Sequence, residues 1–225
     1  MLSQAIGNLL PSAVGVALSP IPIIAVILML ATPKGRSNGI AFALAWIVGL
    51  VAVSVIVLFV AGGADDASSS TADTVNWAKV AFGVLFLLMA GKQFRSRPKT
   101  GETAALPKWM QTIDTFTPVK SGGLGLLLSA VNPKNLALTL AASASIAQAG
   151  LGGTDSAIAV AVFVVIASLT VVGPVLFYVF APNTARKPLD ALRAFMMEHN
   201  AVIMVVVLVV LGAKLIGDGI AGTGS

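Results

Sequence analysis

The sequence predicts an all-α polytopic membrane protein, with six transmembrane helices forming two inverted three-helix repeats and with helices 1 and 4 broken. Three observations carry this prediction. Hydrophobic residues make up 57% of the chain and charged residues only 10%, against about 25% charged in a soluble domain. Six apolar stretches, separated by polar connections, can each cross most of a hydrocarbon layer of about 30 Å. The first and fourth stretches hold prolines in their middles, where the missing N–H and the ring break a helix.

In order, the first predicted span covers residues 6–31 and contains Ser19-Pro20-Ile21-Pro22; two prolines at i and i+2 should unwind it. Residues 1–33 carry no charged side chain and lack the basic flank of a cleavable signal, so they read as a retained first helix. Pro33, Lys34, Gly35 and Arg36 make a turn into the second span, 39–61, with Trp46 inside it. A loop over 62–74 carries Asp65, Asp66 and Asp73. The third span is 75–91, with Trp77 and Lys79 as interfacial anchors. Residues 92–120 form the longest polar segment. Within it Trp109, Met110, Ile113 and Phe116 recur at helical spacing, which predicts a short amphipathic helix on the membrane surface. The fourth span runs over 122–147. The fifth, 157–180, holds Pro174 and Tyr178, read as a kink and an interfacial anchor. Leu189, Leu192 and Phe195–Met197 predict a second surface helix, His199 is a boundary residue, and 201–216 is the last span. As domains, 1–91 is the first repeat, 92–120 the basic loop with its surface helix, and 121–225 the second repeat.

The net charge of +5 is distributed by side. Lys34 and Arg36 follow span one. Lys92, Arg95, Arg97, Lys99, Lys108 and Lys120 follow span three, and Arg186, Lys187 and Arg193 follow span five. Outside these connections only Lys79, Lys134 and Lys214 remain of the 14 Lys and Arg. By the positive-inside rule the basic side is cytoplasmic and both termini face outward. The charge therefore reports topology rather than nucleic-acid binding, with contact to anionic headgroups as an added role for the basic loop.

The fourth span contains Asn132-Pro133-Lys134-Asn135, and Lys134 is the one ionisable side chain between Lys120 and Asp155. It lies about a dozen residues into the span, roughly 18 Å at 1.5 Å per residue and so near the bilayer midplane. A lysine there costs a few kcal/mol, faces protein or water, and usually marks function. Shifting the chain by 110 residues aligns Gly15 with Gly125, Leu18 with Leu128, Ser19 with Ser129 and Leu28 with Leu138. It also brings Pro22 within one position of Pro133. Three spans, an odd number, separate the halves, so the copies run oppositely across the membrane. Paired broken helices in inverted halves point to a transporter's binding site. The predicted substrate site is Ser19, Pro20, Pro22, Ser129, Asn132, Pro133, Lys134 and Asn135. The plainer readings are a structural lysine donating to carbonyls freed by the proline, asparagines bonding between helices, and two packing serines. On the functional reading Lys134 is a cation for an anionic group, or changes protonation during turnover.

Other classes are disfavoured. With no cysteine there is no disulfide, thiol chemistry or cysteine-held metal, and a single His199 argues against a histidine-rich metal site. All 9 Asp and Glu lie outside or at the ends of the predicted spans. Export of metal cations normally needs acidic groups in the membrane, so an anionic or amphiphilic, largely apolar substrate is expected. No nucleophile–base pair, phosphate-binding glycine loop or cofactor motif is recognised, and neither catalysis nor a cofactor is expected.

Leu18-Ser-Pro-Ile-Pro-Ile-Ile-Ala-Val-Ile-Leu-Met-Leu30, with Pro33 and Gly39, resembles the first helix of the GAP family, the glycopeptidolipid-addressing or Sap-like proteins of mycobacteria and relatives. Leu128-Ser-Ala-Val-Asn-Pro-Lys-Asn-Leu-Ala-Leu138 resembles that family's second signature. Pro107-Lys-Trp-Met110, Phe116-Thr-Pro118 and His199-Asn200 are also similar to it, so the likeness covers nearly the whole chain. The Asn-Pro-Lys element recurs across the wider LysE exporter superfamily. Ser-Pro-x-Pro replaces the Pro-Gly-Pro of that superfamily's amino-acid exporters. The resemblance implies an inner-membrane protein that moves envelope glycolipids or related lipids outward, working with large lipid transporters and biosynthetic enzymes. Two alternatives stand beside this: an exporter of a small amphiphile such as an amino acid, and a non-transporting scaffold of a lipid-export complex. A homodimer is compatible with either transport reading.

Overall fold

Among the described residues four helices begin on a proline, and those prolines set the architecture. A proline at the first helical position loses nothing, because that N–H has no partner in any helix and φ is already near −65°. In the computed structural model, which describes residues 1–62, 77–95 and 108–220, the helices are α1 (Leu2–Ala17), α2 (Pro20–Leu30), α3 (Gly35–Gly62) and α4 (Trp77–Arg95). They continue as α5 (Pro118–Leu126), α6 (Pro133–Gln148), α7 (Gly153–Phe180) and α8 (Pro182–Ile220). A 3-10 helix occupies Lys108–Thr115 and a π-helical turn, Leu127–Val131, extends α5. No strand occurs among the described residues.

Three helices, α3 over Gly35–Val60, α7 and α8, are each long and apolar enough to cross a membrane. The pair α1–α2 bends by 51° at Leu18-Ser19, and the pair α5–α6 bends by 58° at Asn132. With each bent pair taken as one span the count among the described residues is five, where the sequence predicts six. Both bends fall where interior prolines predict a break. The two breaks share one construction, an N-cap followed by proline: Ser19-Pro20 and Asn132-Pro133. Pro20 and Pro133 thus hold the same position in the two breaks, directly after the N-cap.

Packing follows from small residues. A Cβ on Gly125 would stand 2.5 Å from the Phe42 carbonyl oxygen and 3.2 Å from the Trp46 nitrogen, so α3 lies directly against the backbone of α5. Gly83 and Gly212 meet in the same way, each facing the other's carbonyl, and draw α4 along α8. Close backbone approach at glycine is how helices associate where lipid removes the hydrophobic drive. α2 is hydrophobic all round, and a helix of that kind is buried. It packs against α3, α7 and α8, and only Ile21 and Leu28 of its eleven residues are part-exposed.

Two predicted surface helices take other forms. Met110 and Ile113 are buried, and their 3-10 helix packs against α2. Met110, Ile113 and Phe116 are three residues apart, the 3-10 period that places side chains one above another. Leu189, Leu192 and Phe195–Met197 belong to α8, which continues without a break into the last predicted span. Leu189 and Met196 are buried, and α8 packs on α2. Asp65, Asp66, Asp73, Arg97, Lys99 and Glu102 lie outside the described residues, as do the side chains of Trp77, Lys79, Lys108 and Trp109.

Candidate functional site at the junction of the two broken helices

The two breaks touch. Lys134 Nζ donates to Ser19 Oγ at 2.8 Å, and the Ser19 hydroxyl donates to Asn135 Oδ1 at 2.7 Å. Lys134 Nζ also reaches the Leu18 carbonyl at 3.5 Å. Lys134, Asn135 and Ser19 are 4%, 1% and 4% exposed, so the junction is closed to solvent. Among the described residues, the groups receiving the lysine are thus a hydroxyl and a carbonyl at the C-terminal end of α1. That end carries partial negative charge, which favours a cation there.

The chemistry of proline explains why Ser19 is available. An N-cap serine normally accepts from the N–H of the second or third helical residue. In α2 the third residue is Pro22, which has no N–H, and Ser19 makes no cap bond to its own helix. Its oxygen is left for Lys134 and its proton for Asn135. Pro133 acts similarly on the other break. Asn132 N donates to Leu127 O in π-helical register. The next carbonyl, Leu128 O, would take the following N–H, but that residue is Pro133. Asn135 Nδ2 fills the vacancy at 2.9 Å. Since a carbonyl only accepts, this contact fixes the amide orientation and turns Oδ1 toward Ser19. Asn132 caps α6, its Oδ1 receiving the N–H of Lys134 at 3.1 Å and of Asn135 at 3.4 Å.

Of the eight predicted site residues, Ser19, Lys134 and Asn135 are joined in one network, while Pro20, Pro22, Asn132 and Pro133 shape it. Ser129 does not join it: its hydroxyl bonds back to Gly125 O and Leu126 O, and it is packed against Gly49 of α3. Sequence reasoning missed Thr170 of α7, whose hydroxyl caps α1 by donating to Ala17 O at 2.6 Å. Its one signal was a polar residue inside an apolar span. No cluster of His, Asp or Glu suited to a metal occurs among the described residues.

These features define a helical membrane protein whose paired, broken helices meet at a buried polar junction. The chain belongs to the Sap, sulfolipid-1-addressing protein family, whose sequence profile it matches over residues 9–221. That membership points to a role in addressing or exporting lipid in the cell envelope. No curated protein and no solved structure matches it.

Proposed function

We propose that this chain is an inner-membrane transporter, or flippase-like component, that moves envelope lipids outward, with the substrate held near Lys134 between the bent pairs α1–α2 and α5–α6. The observation that carries the reading is the Lys134–Ser19–Asn135 contact between two proline breaks of like construction. Discontinuous helices are how membrane carriers expose polar groups at mid-depth without exposing backbone to lipid. In this reading α4 completes a sixth span, the two halves are inverted repeats, and the basic connections are cytoplasmic with both termini outside. In this reading the chain is a member of the LysE exporter superfamily, whose Asn-Pro-Lys element it resembles at residues 132–134. The protein acts as a carrier without catalysis or cofactor, alongside large lipid transporters and lipid-synthesising enzymes. The scaffold alternative rests on the two predicted surface helices and the basic loop; of the helices' apolar residues Met110, Ile113, Leu189 and Met196 are buried in the protein while Phe195 is half exposed.

The test compares cells lacking the protein and restored with wild type or Lys134→Met at equal membrane abundance. Surface-extractable lipids and small molecules in the medium are profiled. The reading expects one lipid class to be withheld from the surface in both the deletion and the Lys134→Met cells. Full restoration by Lys134→Met would make the lysine structural and remove the site. A change confined to small molecules in the medium would favour export of a small amphiphile.

A further inference from the structure

A cavity of about 210 Å³ lies between α1, α4, α6 and α8. Its walls on α1 are Asn8 and Ser12, and α6 supplies Leu138, Ala141, Ser145 and Gln148 among others. On α1 the positions Asn8, Ser12 and Gly15 advance by steps of four and three, which is one helix face, and Ser19 follows beyond the end of that helix at the break. On α6, Lys134, Leu138, Ala141, Ser145 and Gln148 advance in the same alternation. The cavity and Lys134 therefore share one face of α6, and opposite it the cavity lies on α1 while the junction lies at the break just past the end of α1, where Lys134 Nζ reaches the Leu18 carbonyl. A single layer separates them. It is built on Gly15, where Leu211 Cδ1 and Leu138 Cδ1 stand 2.6 and 3.0 Å from the position a Cβ would take. Ser12, Leu138 and Leu211 are buried at that inner end, while Asn8 and Gln148 at the other end are exposed.

The lining has two characters. Phe82, Leu138, Leu140, Leu211 and Leu215 make the body apolar. The polar groups are the side-chain amides of Asn8 and Gln148, the hydroxyls of Ser12 and Ser145, and the Lys214–Asp218 ion pair. One positive and one negative charge cancel, so the lining is neutral and rich in donors and acceptors. A volume of 210 Å³ equals about seven waters at about 30 Å³ each. Walls this apolar suit an alkyl chain better than water.

We propose that this cavity is the outward half of the substrate's passage and binds an amphiphile by one alkyl chain and an uncharged, hydroxyl-bearing head. The chain lies inward on Leu138 and Leu211, and the head meets Asn8, Gln148 and the Lys214–Asp218 pair. Leu138 and Leu211, closing over Gly15, form the gate between cavity and junction. The inference rests on the transport reading above and adds a second, separate site to it.

The absence of cysteine from the chain makes a clean test possible. Full-length protein in phosphatidylcholine nanodiscs is photolabelled with an alkyl glucoside carrying a diazirine at the end of its chain, and labelled peptides are mapped by mass spectrometry. Label is expected on residues 137–144 and 211–215. In an Ala141→Cys variant, an alkyl methanethiosulfonate added after folding should lower that label at least tenfold, and reductant should restore it. The comparison lies within one folded variant, so misfolding cannot mimic it. Label insensitive to the block, or concentrated elsewhere, overturns the proposal, and equal labelling by a diazirine-bearing alkyl sulfate overturns selection of an uncharged head. In cells, Ala141→Trp should withhold the same surface lipid as Lys134→Met. Loss with Lys134→Met but not with a stably inserted Ala141→Trp defeats the cavity and leaves the transport reading standing. Full surface lipid with Lys134→Met removes the Lys134 site and with it the transport reading on which this inference rests.

Discussion

Replacing Ser19 with alanine isolates the contact between the two breaks. The change removes the acceptor of Lys134 at 2.8 Å and the donor to Asn135 at 2.7 Å. Side-chain hydrogen bonds between membrane helices contribute about 0.6 kcal/mol on average and about 1.7 at most, so two bonds bracket the loss between about 1 and 3 kcal/mol. The upper end applies, because a buried lysine left with a 3.5 Å contact as its remaining acceptor bears the cost of an unsatisfied donor. For a chain of this size about 3 kcal/mol lowers Tm by roughly 6–12 °C. The control is Ser129→Ala. Sequence alignment makes Ser129 the counterpart of Ser19, but its hydroxyl only bonds back to Gly125 and Leu126. Back-bonding of that kind slightly destabilises and bends helices, so its loss should move Tm by less than about 2 °C, under 1 kcal/mol. The assay is thermal unfolding of both purified variants in one detergent. Equal shifts for the two would refute the assigned network. A double-mutant cycle of Ser19→Ala with Lys134→Met should show a coupling of about 0.5–3 kcal/mol, and additivity would speak against direct contact.

Pro22→Ala restores the third N–H of α2 and lets Ser19 cap its own helix. The expected result is an unchanged or raised Tm with reduced surface lipid, measured on one strain; unchanged lipid would separate the Ser19 bridge from transport. Gly125→Ala drives a Cβ toward the Phe42 carbonyl and should cost about 1–3 kcal/mol. Gly173→Ala, with open space around it, should be neutral or stabilising by up to about 1 kcal/mol; denaturation midpoints that rank the two the other way would discredit the close α3–α5 packing. Asp155→Cys and Lys187→Cys are exposed positions on opposite predicted sides. An impermeant maleimide should label the first in intact cells and the second only after permeabilisation, and the reverse pattern would invert the topology.

The breaks were legible because proline states its own consequence: it cannot donate, and in an apolar run little else interrupts a helix. Lys134 was legible for a similar reason, as a lone charge in a long uncharged stretch. Identity matches in apolar sequence arise cheaply and bring Pro22 near Pro133, whereas the prolines that directly follow the two N-caps are Pro20 and Pro133. Met110, Ile113 and Phe116 were seen as an apolar stripe, but a stripe does not say whether lipid or protein covers it. The boundary inside α8 was drawn from a change in polarity near His199, and a helix does not end where polarity changes unless a breaker stands there. Thr170 and the cavity behind Leu138 depend on which helices become neighbours, information that a single sequence carries only weakly.

α8 has 39 residues, a rod of about 58 Å at 1.5 Å per residue and nearly twice the thickness of a bilayer core. Near its start, Leu189 and Met196 are buried in the body, where α8 packs on α2. Near its finish, Leu211 and Leu215 wall the cavity. Pro188 lies within its first two turns without ending it. For an element of that length, a difference of 5° in tilt about the midpoint would displace each end by about 2.5 Å, in opposite directions.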